Sequence, residues 1–418
     1  MRIERLRLTD FRNYQELDLL LPPGLIVFYG RNAQGKSNLL EAVTLFATSR
    51  SFRTSSEREA VRWGALGHFA RIEAHIQRHE GPIQIEVILT DSDAEAATQA
   101  RPVETPAPAL RMGKRIRVNG VPRRAMDLLG LAPVVVFAPT DLDLVIGSPS
   151  ERRRFLDLTL CQVDNTYCRT LSQYQKVLTQ RAALLRRIRD GEDTPQALGY
   201  WDDLLTRLAA PIMRIRASFI ERAGQAAARV YAALTHDEPD ELDDPDAAVA
   251  SGVPREPLFD DDPMNMALRL VYRPSYGGAM AGDEKTLAEE MRARLGELRR
   301  REIAQGVNVL GPHRDDLAFL AGEIDLATYG SRGQQRTVAL ALKLAELAYI
   351  EAAIGDQPIL LLDDVLSELD VQRRADLLSA VRGLDQVLLT TADTDSLPAE
   401  ALAQAHRYRV RAGQVIPM

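Results

Sequence analysis

The stretch Gly30-Arg31-Asn32-Ala33-Gln34-Gly35-Lys36-Ser37 restricts the possible folds of this chain more than any other. It fits the GxxxxGK[ST] phosphate loop, a motif that acts only where a strand runs into a helix. Both flanks are present. Residues 25–29 form a short apolar run ending at Gly30, as a buried strand would, and Leu39, Leu40, Val43 and Phe46 follow at helical spacing. In that setting the loop amides and the helix N-terminus converge on one point and hold phosphate oxygens. A nucleotide is therefore expected against Gly30, Arg31, Asn32, Ala33, Gln34, Gly35, Lys36, Ser37 and Asn38. Lys36 should reach the β- and γ-phosphates of ATP, and Ser37 should hold Mg²⁺. A chance match in a glycine-bearing turn would lack these flanks.

A second signal lies far downstream. Residues 359–362 are an apolar strand that ends in Asp363-Asp364. Adjacent carboxylates at a buried strand tip suit a metal site, with Asp363 on Mg²⁺ and Asp364 orienting an attacking water. Upstream, Ser331-Arg332-Gly333-Gln334-Gln335 precedes a long amphipathic helix at 333–353, and Ser367-Glu368-Leu369-Asp370 follows the strand. A serine at a helix start with glycine beside it offers free amides to an anion. Taken together these motifs resemble the ABC-type ATPases. That resemblance implies that Ser331, Gly333 and Gln334 bind the γ-phosphate of ATP held by a partner subunit, and that Asp370 lies in the neighbouring loop of the site. Two ATP molecules would then be sandwiched in a twofold homodimer.

The spacing of the two halves sets the fold class: α/β, an ABC/SMC-like P-loop ATPase head split in sequence, with an inserted, mainly helical second lobe. The head is expected over 1–135 and 305–418, and the helical lobe over 136–304. Within the latter, three- and four-residue spacing predicts one helix over 150–189, a second over 200–234 and a third over 285–302. A strand is expected at 133–138, another at 386–390, and a hairpin at 114–122 around Asn119-Gly120. The Ala/Pro-rich stretch 91–110 and the acidic stretch 236–263 read as surface loops.

The net charge of −7 argues weakly against nucleic acid, because eleven of the acidic residues sit from Asp237 to Asp262. Without them the balance is mildly basic, and binding depends on local patches. Arg115, Arg117, Arg123 and Arg124 surround the hairpin, Arg152, Arg153 and Arg154 open the helical lobe, and Arg181, Arg186, Arg187 and Arg189 close its first helix. Of these, Arg115, Arg117, Arg123, Arg124, Arg152 and Arg187 are the candidate phosphate contacts, and solvated helix faces account for about half of such charges. No apolar run approaches the length that crosses a bilayer, and Cys161 and Cys168 have no histidines grouped with them, so a cytoplasmic location without a zinc site is expected. His313 reads as a histidine fixing a turn rather than as a ligand.

Four further stretches narrow the family: Phe11-Arg12-Asn13-Tyr14, residues 139–157 (PTDLDLVIGSPSERRRFLD), Gly311-Pro312-His313-Arg314-Asp315-Asp316, and residues 361–378 (LLDDVLSELDVQRRADLL). They resemble the RecF family, within the SMC-related branch of the ABC superfamily, and the likeness covers nearly the whole chain. It implies an ATP-dependent binder of single-stranded or gapped and junction DNA. It also implies cooperation with RecR and RecO in loading recombinase, and support of replication recovery and SOS induction. Asp364 stands where a Glu is usual in ABC-type ATPases, which suggests slow hydrolysis used as a switch. A transporter ATPase subunit is the first alternative, weakened because Thr390-Thr391-Ala392-Asp393 lacks the switch histidine; a structural clamp without turnover is the second.

Overall fold

The computed structural model describes residues 1–54, 56–65, 67–91, 112–235, 267–278, 280, 282–394 and 397–418. The two stretches read as loops therefore lie outside the described residues, apart from Asp91 at the edge of the first. The chain forms two compact units, one of Met1–Pro139, Cys161–Asn165 and Ile350–Met418, the other of Thr140–Leu160 and Thr166–Tyr349.

The first unit holds two six-stranded sheets. One is an antiparallel sheet of β1 (Arg2–Phe11), β2 (Tyr14–Leu20), β4 (Phe69–Arg78), β5 (Gly81–Asp91), β6 (Met112–Val118) and β7 (Val121–Arg123), in the order β2-β1-β4-β5-β6-β7. The other runs β15-β14-β3-β13-β12-β8, from β3 (Gly24–Tyr29), β8 (Val134–Phe137), β12 (Ile359–Asp363), β13 (Gln386–Thr391), β14 (His406–Arg411) and β15 (Gln414–Pro417). Its five strands β14, β3, β13, β12 and β8 are parallel. Such strands are covered on both faces and carry unbroken apolar runs, which is why Leu360, Leu361, Leu362 and Val387, Leu388, Leu389 are all buried. Helix α1 (Lys36–Thr48) packs against strands of both sheets, so it is apolar on most sides, and its buried polar groups such as Glu41 are paired.

The second unit carries the longer helices α2 (Pro149–Val163), α3 (Asn165–Arg189), α4 (Leu198–Thr235) and α5 (Glu284–Gln305), and most of α6 (Arg332–Ile354). The single helix expected over 150–189 is two helices. The chain breaks at Asp164, a residue type favoured just before a helix start, and there Cys161–Asn165 belong to the first unit. Gln162 explains the detour: its side chain accepts from Val134 N (2.8 Å) and donates to Val134 O (3.2 Å), pairing with β8 as a neighbouring strand would. A small antiparallel sheet of β9 (Leu268–Arg273), β10 (Asp316–Ala321) and β11 (Ile324–Asp325) was not visible in the helical pattern. Residues 305–349 lie with the helices in the second compact unit.

Candidate nucleotide site

The phosphate loop leaves the C-terminal end of β3, and register places its neighbours. Tyr29 pairs with Thr391 and Thr390 with Asp363, so three adjacent parallel strands end together. Ligands of open α/β sheets bind at such ends. The Lys36 ammonium lies over the loop, donating to Gly30 O and Arg31 O. Burial lowers its pKa, and Asp364 and Asp363 oppose the shift, so both carboxylates lie within electrostatic reach of the lysine. Asp363 is buried, with one oxygen accepting from Thr390 Oγ1 at 2.7 Å. The same hydroxyl accepts from Asp364 N at 3.0 Å. Thr390 thus orders the acidic pair, a role that the sequence reading missed. Asp364 itself adopts φ 53°, a left-handed turn that redirects the chain at the strand tip. Ser37 opens α1, one residue after Lys36. An oxygen donor set of this kind fits Mg²⁺, a hard cation, better than a softer metal.

The Phe11–Tyr14 stretch proves to be part of this site. Tyr14 donates its buried hydroxyl to Gly35 O (2.9 Å). Asn13 donates to Gln34 O (2.9 Å) and accepts from Asn38 Nδ2 (2.8 Å). Arg12 grips the fully buried Glu41 of α1 with two hydrogen bonds, at 2.6 and 2.8 Å. Gly35, at φ 116°, has to be glycine, because a Cβ there would lie 2.6 Å from Asn13 Nδ2 and 2.9 Å from the Tyr14 hydroxyl. The sequence signal was a polar tetrad directly after a strand, and its reach of about twenty residues to the loop could not be read from spacing.

The family model described as "RecF/RecN/SMC N terminal domain" matches residues 2–411. "DNA replication and repair protein RecF" of Chloroflexus aurantiacus is 41% identical, covering 99% of both chains. The chain belongs to the RecF family. The RecF of Staphylococcus carnosus is 35% identical over 100% of each chain. A solved structure, "the recombination mediator protein RecF-ATP in RecFOR pathway", superposes with a TM-score of 0.81 at 27% identity, covering 100% of this chain and 97% of that one. An Smc head bound to the C-winged helix domain of ScpA, at TM-score 0.51 and 13% identity, shares the fold alone. Membership of the RecF family closes the transporter alternative. Among the described residues, no helix is long and apolar enough to cross a membrane.

The other residues singled out for a RecF-type site sit as follows. Ser331 and Gln334 form a reciprocal capping box: Gln334 N donates to Ser331 Oγ (3.2 Å) and Ser331 N to Gln334 Oε1 (2.8 Å). Gly333 and Gln334 therefore lie inside the first turn of α6, not before it. Asp370 caps α7 (Val371–Ala380) by accepting from Arg373 N at 2.8 Å. Arg115, Arg117, Arg123 and Arg124 are exposed, with Arg117 3.4 Å from Glu86, and exposed Arg187 pairs with Asp193 at 3.2 Å. Arg152 is different. It is buried and bidentate with Asp316 at 2.7 and 3.0 Å, so its cation is spent inside the fold and is withdrawn as a phosphate contact. Arg153 donates to Asp315 O (2.8 Å), which locks the 139–157 and 311–316 motifs of the RecF resemblance onto each other. His313 is held between the Tyr174 hydroxyl (2.7 Å) and Asn308 O (3.2 Å), a turn-fixing histidine as expected.

Proposed function

We propose that this chain binds ATP with Mg²⁺ at the 30–38 loop and hydrolyses ATP slowly. In this reading ATP closes two copies into a homodimer, and the dimer acts on single-stranded, gapped or junction DNA in the cytoplasm. The observation that carries it is the convergence of the loop, Lys36, Asp363 and Asp364 on the ends of three adjacent strands. Lys36 supplies the cation for the β- and γ-phosphates, and loop amides supply the remaining donors. Mg²⁺, when bound by Ser37 and Asp363, neutralises phosphate charge. Asp364 orients a water for in-line attack on the γ-phosphorus, giving ADP and phosphate. Ser331, Gly333 and Gln334 act across the dimer, each copy completing the other's site, and Asp370 belongs to the same interface. The functional lobes keep the division 1–135 with 305–418 against 136–304.

DNA is held through phosphates by Arg115, Arg117, Arg123 and Arg124 on the hairpin, with Arg187 as a further contact. Membership of a replication and repair family, and the RecFOR pathway named for a solved relative, support partnership with RecR and RecO. Recombinase loading and SOS induction follow from that partnership. The test is solution mass with and without ATP, then with junction DNA. ATP should double the mass of the wild type. Lys36→Ala should lose both ATP and the dimer, whereas Ser331→Arg should bind ATP as a monomer. ATP-dependent dimers of Lys36→Ala would sink this reading.

A further inference from the structure

We propose that Asn13 and the β14–β15 turn form a two-sided clamp that sets the phosphate loop in its nucleotide-binding shape, with Gln34 as the residue gripped by both sides. The proposal rests on the nucleotide reading above and adds positioning residues to it. Gln34 O accepts from Asn13 Nδ2 (2.9 Å) and from Gly413 N (3.2 Å). Gln34 Oε1 accepts from Ala412 N (2.9 Å). Two successive amides of one turn thus address a single loop residue. They can do so because Ala412 and Gly413 both have positive φ, 49° and 75°, the geometry of a tight two-residue hairpin turn. The two sides also touch: a Cβ on Gly413 would lie 2.4 Å from Asn13 O. Asn13 reaches past the loop to Asn38, so it spans both ends of the segment that carries Lys36 and Ser37.

The loop needs such support. Gly30, Ala33 and Gly35 take φ of 150°, 63° and 116°, and Ala33 is a side-chain-bearing residue in the left-handed region. Backbone in such conformations persists only where the surroundings over-determine it. The amides that would face phosphate are aimed by those angles, so the grip on Gln34 is a grip on their direction.

The test uses the full chain with Asn13→Ala, Asn13→Asp, Gln34→Met and Gly413→Ala. Amide hydrogen exchange of residues 31–36 is followed without nucleotide, and Kd for ATP is then measured. Asn13→Asp retains the acceptor for Asn38 but loses the donor to Gln34, so it should behave like Asn13→Ala. Each variant should exchange faster and bind ATP about fivefold more weakly, the equivalent of one ordinary hydrogen bond. In Gly413→Ala KM should rise while kcat at saturating ATP is retained. Unchanged exchange and unchanged Kd in Gln34→Met, which lies outside the core and so leaves folding intact, would overturn the clamp. So would an Asn13→Asp that matches the wild type. If the wild type did not bind ATP at all, the nucleotide reading would fail, and the exchange data alone would still decide the clamp.

Discussion

The phosphate loop and the guanidinium cluster of the second unit solve opposite problems. Around the loop, the holding contacts are mainly neutral: Asn13 and Tyr14 donate to carbonyls, and turn amides donate to Gln34. In the second unit, Arg181 is wholly buried against Glu302 (2.6 and 3.0 Å), Asp202 (2.9 Å) and Asn308 (2.7 Å). Arg216 is likewise buried on Asp157 (2.6 Å), the Tyr167 hydroxyl (3.0 Å) and Pro312 O (2.6 Å). The first region keeps its geometry while leaving room for a charged ligand to complete it. The second completes its own charges internally, at a desolvation cost that makes such pairs weak sources of stability but severe to break. Perturbing one should alter binding, and perturbing the other should alter folding.

The largest effect is expected from Arg181→Met, which leaves Glu302 buried without its cation, whereas Asp202 keeps Arg299. Urea unfolding should show a loss of about 3–5 kcal/mol; a loss under about 1 kcal/mol would erase the contrast drawn here. Next is the pH dependence of His313, whose pKa burial lowers to about 4 from 6.5. Between pH 6.5 and 4 the unfolded chain takes a proton that the folded protein refuses, so stability falls as pH drops through that window and levels off below it. From pH 7 to 5 the loss should be about 2 kcal/mol, and His313→Gln should lack that component. A third test returns to the nucleotide side. Asp364→Asn should bind ATP, hydrolyse it at least about tenfold more slowly, equal to about 1.4 kcal/mol, and accumulate as a dimer on DNA. An unchanged rate would mean that another group positions the water. The smallest effect belongs to the exposed hairpin. Neutralising Arg115 and Arg117 should leave stability within about 0.5 kcal/mol and flatten the log–log salt dependence of DNA binding by about 1.8, if both touch phosphate.

The nucleotide side was the more legible of the two regions for a physical reason. Its parts are local: a strand, a loop and a helix in sequence, and two carboxylates at one strand tip. What the sequence hid there was contact across distance, Asn13 to Gln34 and Thr390 to Asp363. The cluster in the second unit joins Arg181 to Glu302 and Arg152 to Asp316, and composition reads those arginines as free cations. A signal did exist. Arg181 continues the buried stripe Tyr174, Val177, Leu184, Leu185 and Ile188 of α3, and Arg216 continues Ile212, Met213, Phe219 and Ile220 of α4. An arginine in register with an apolar stripe is a buried arginine seeking carboxylates, and it should be removed from any count of nucleic-acid contacts. The small β9–β11 sheet stayed hidden because α5 separates β9 from β10, its antiparallel partner.

The arrangement of the parallel sheet carries a consequence for how the molecule is made. Strand β3, which launches the phosphate loop, pairs on one side with β13 and on the other with β14; Gly24 meets Gln386, and Ile26 meets His406. Both neighbours lie far downstream of β3 in the chain, whereas the strands of the antiparallel sheet from β1 to β7 are made much closer together. The loop's launching strand therefore waits without these ladder partners until they are made, and closing it requires pairings of very long sequence separation, which are slow. A chain cut short before residue 386 would carry the whole phosphate-loop motif and still lack the strands that flank β3, so nucleotide binding becomes a report that synthesis has passed β14.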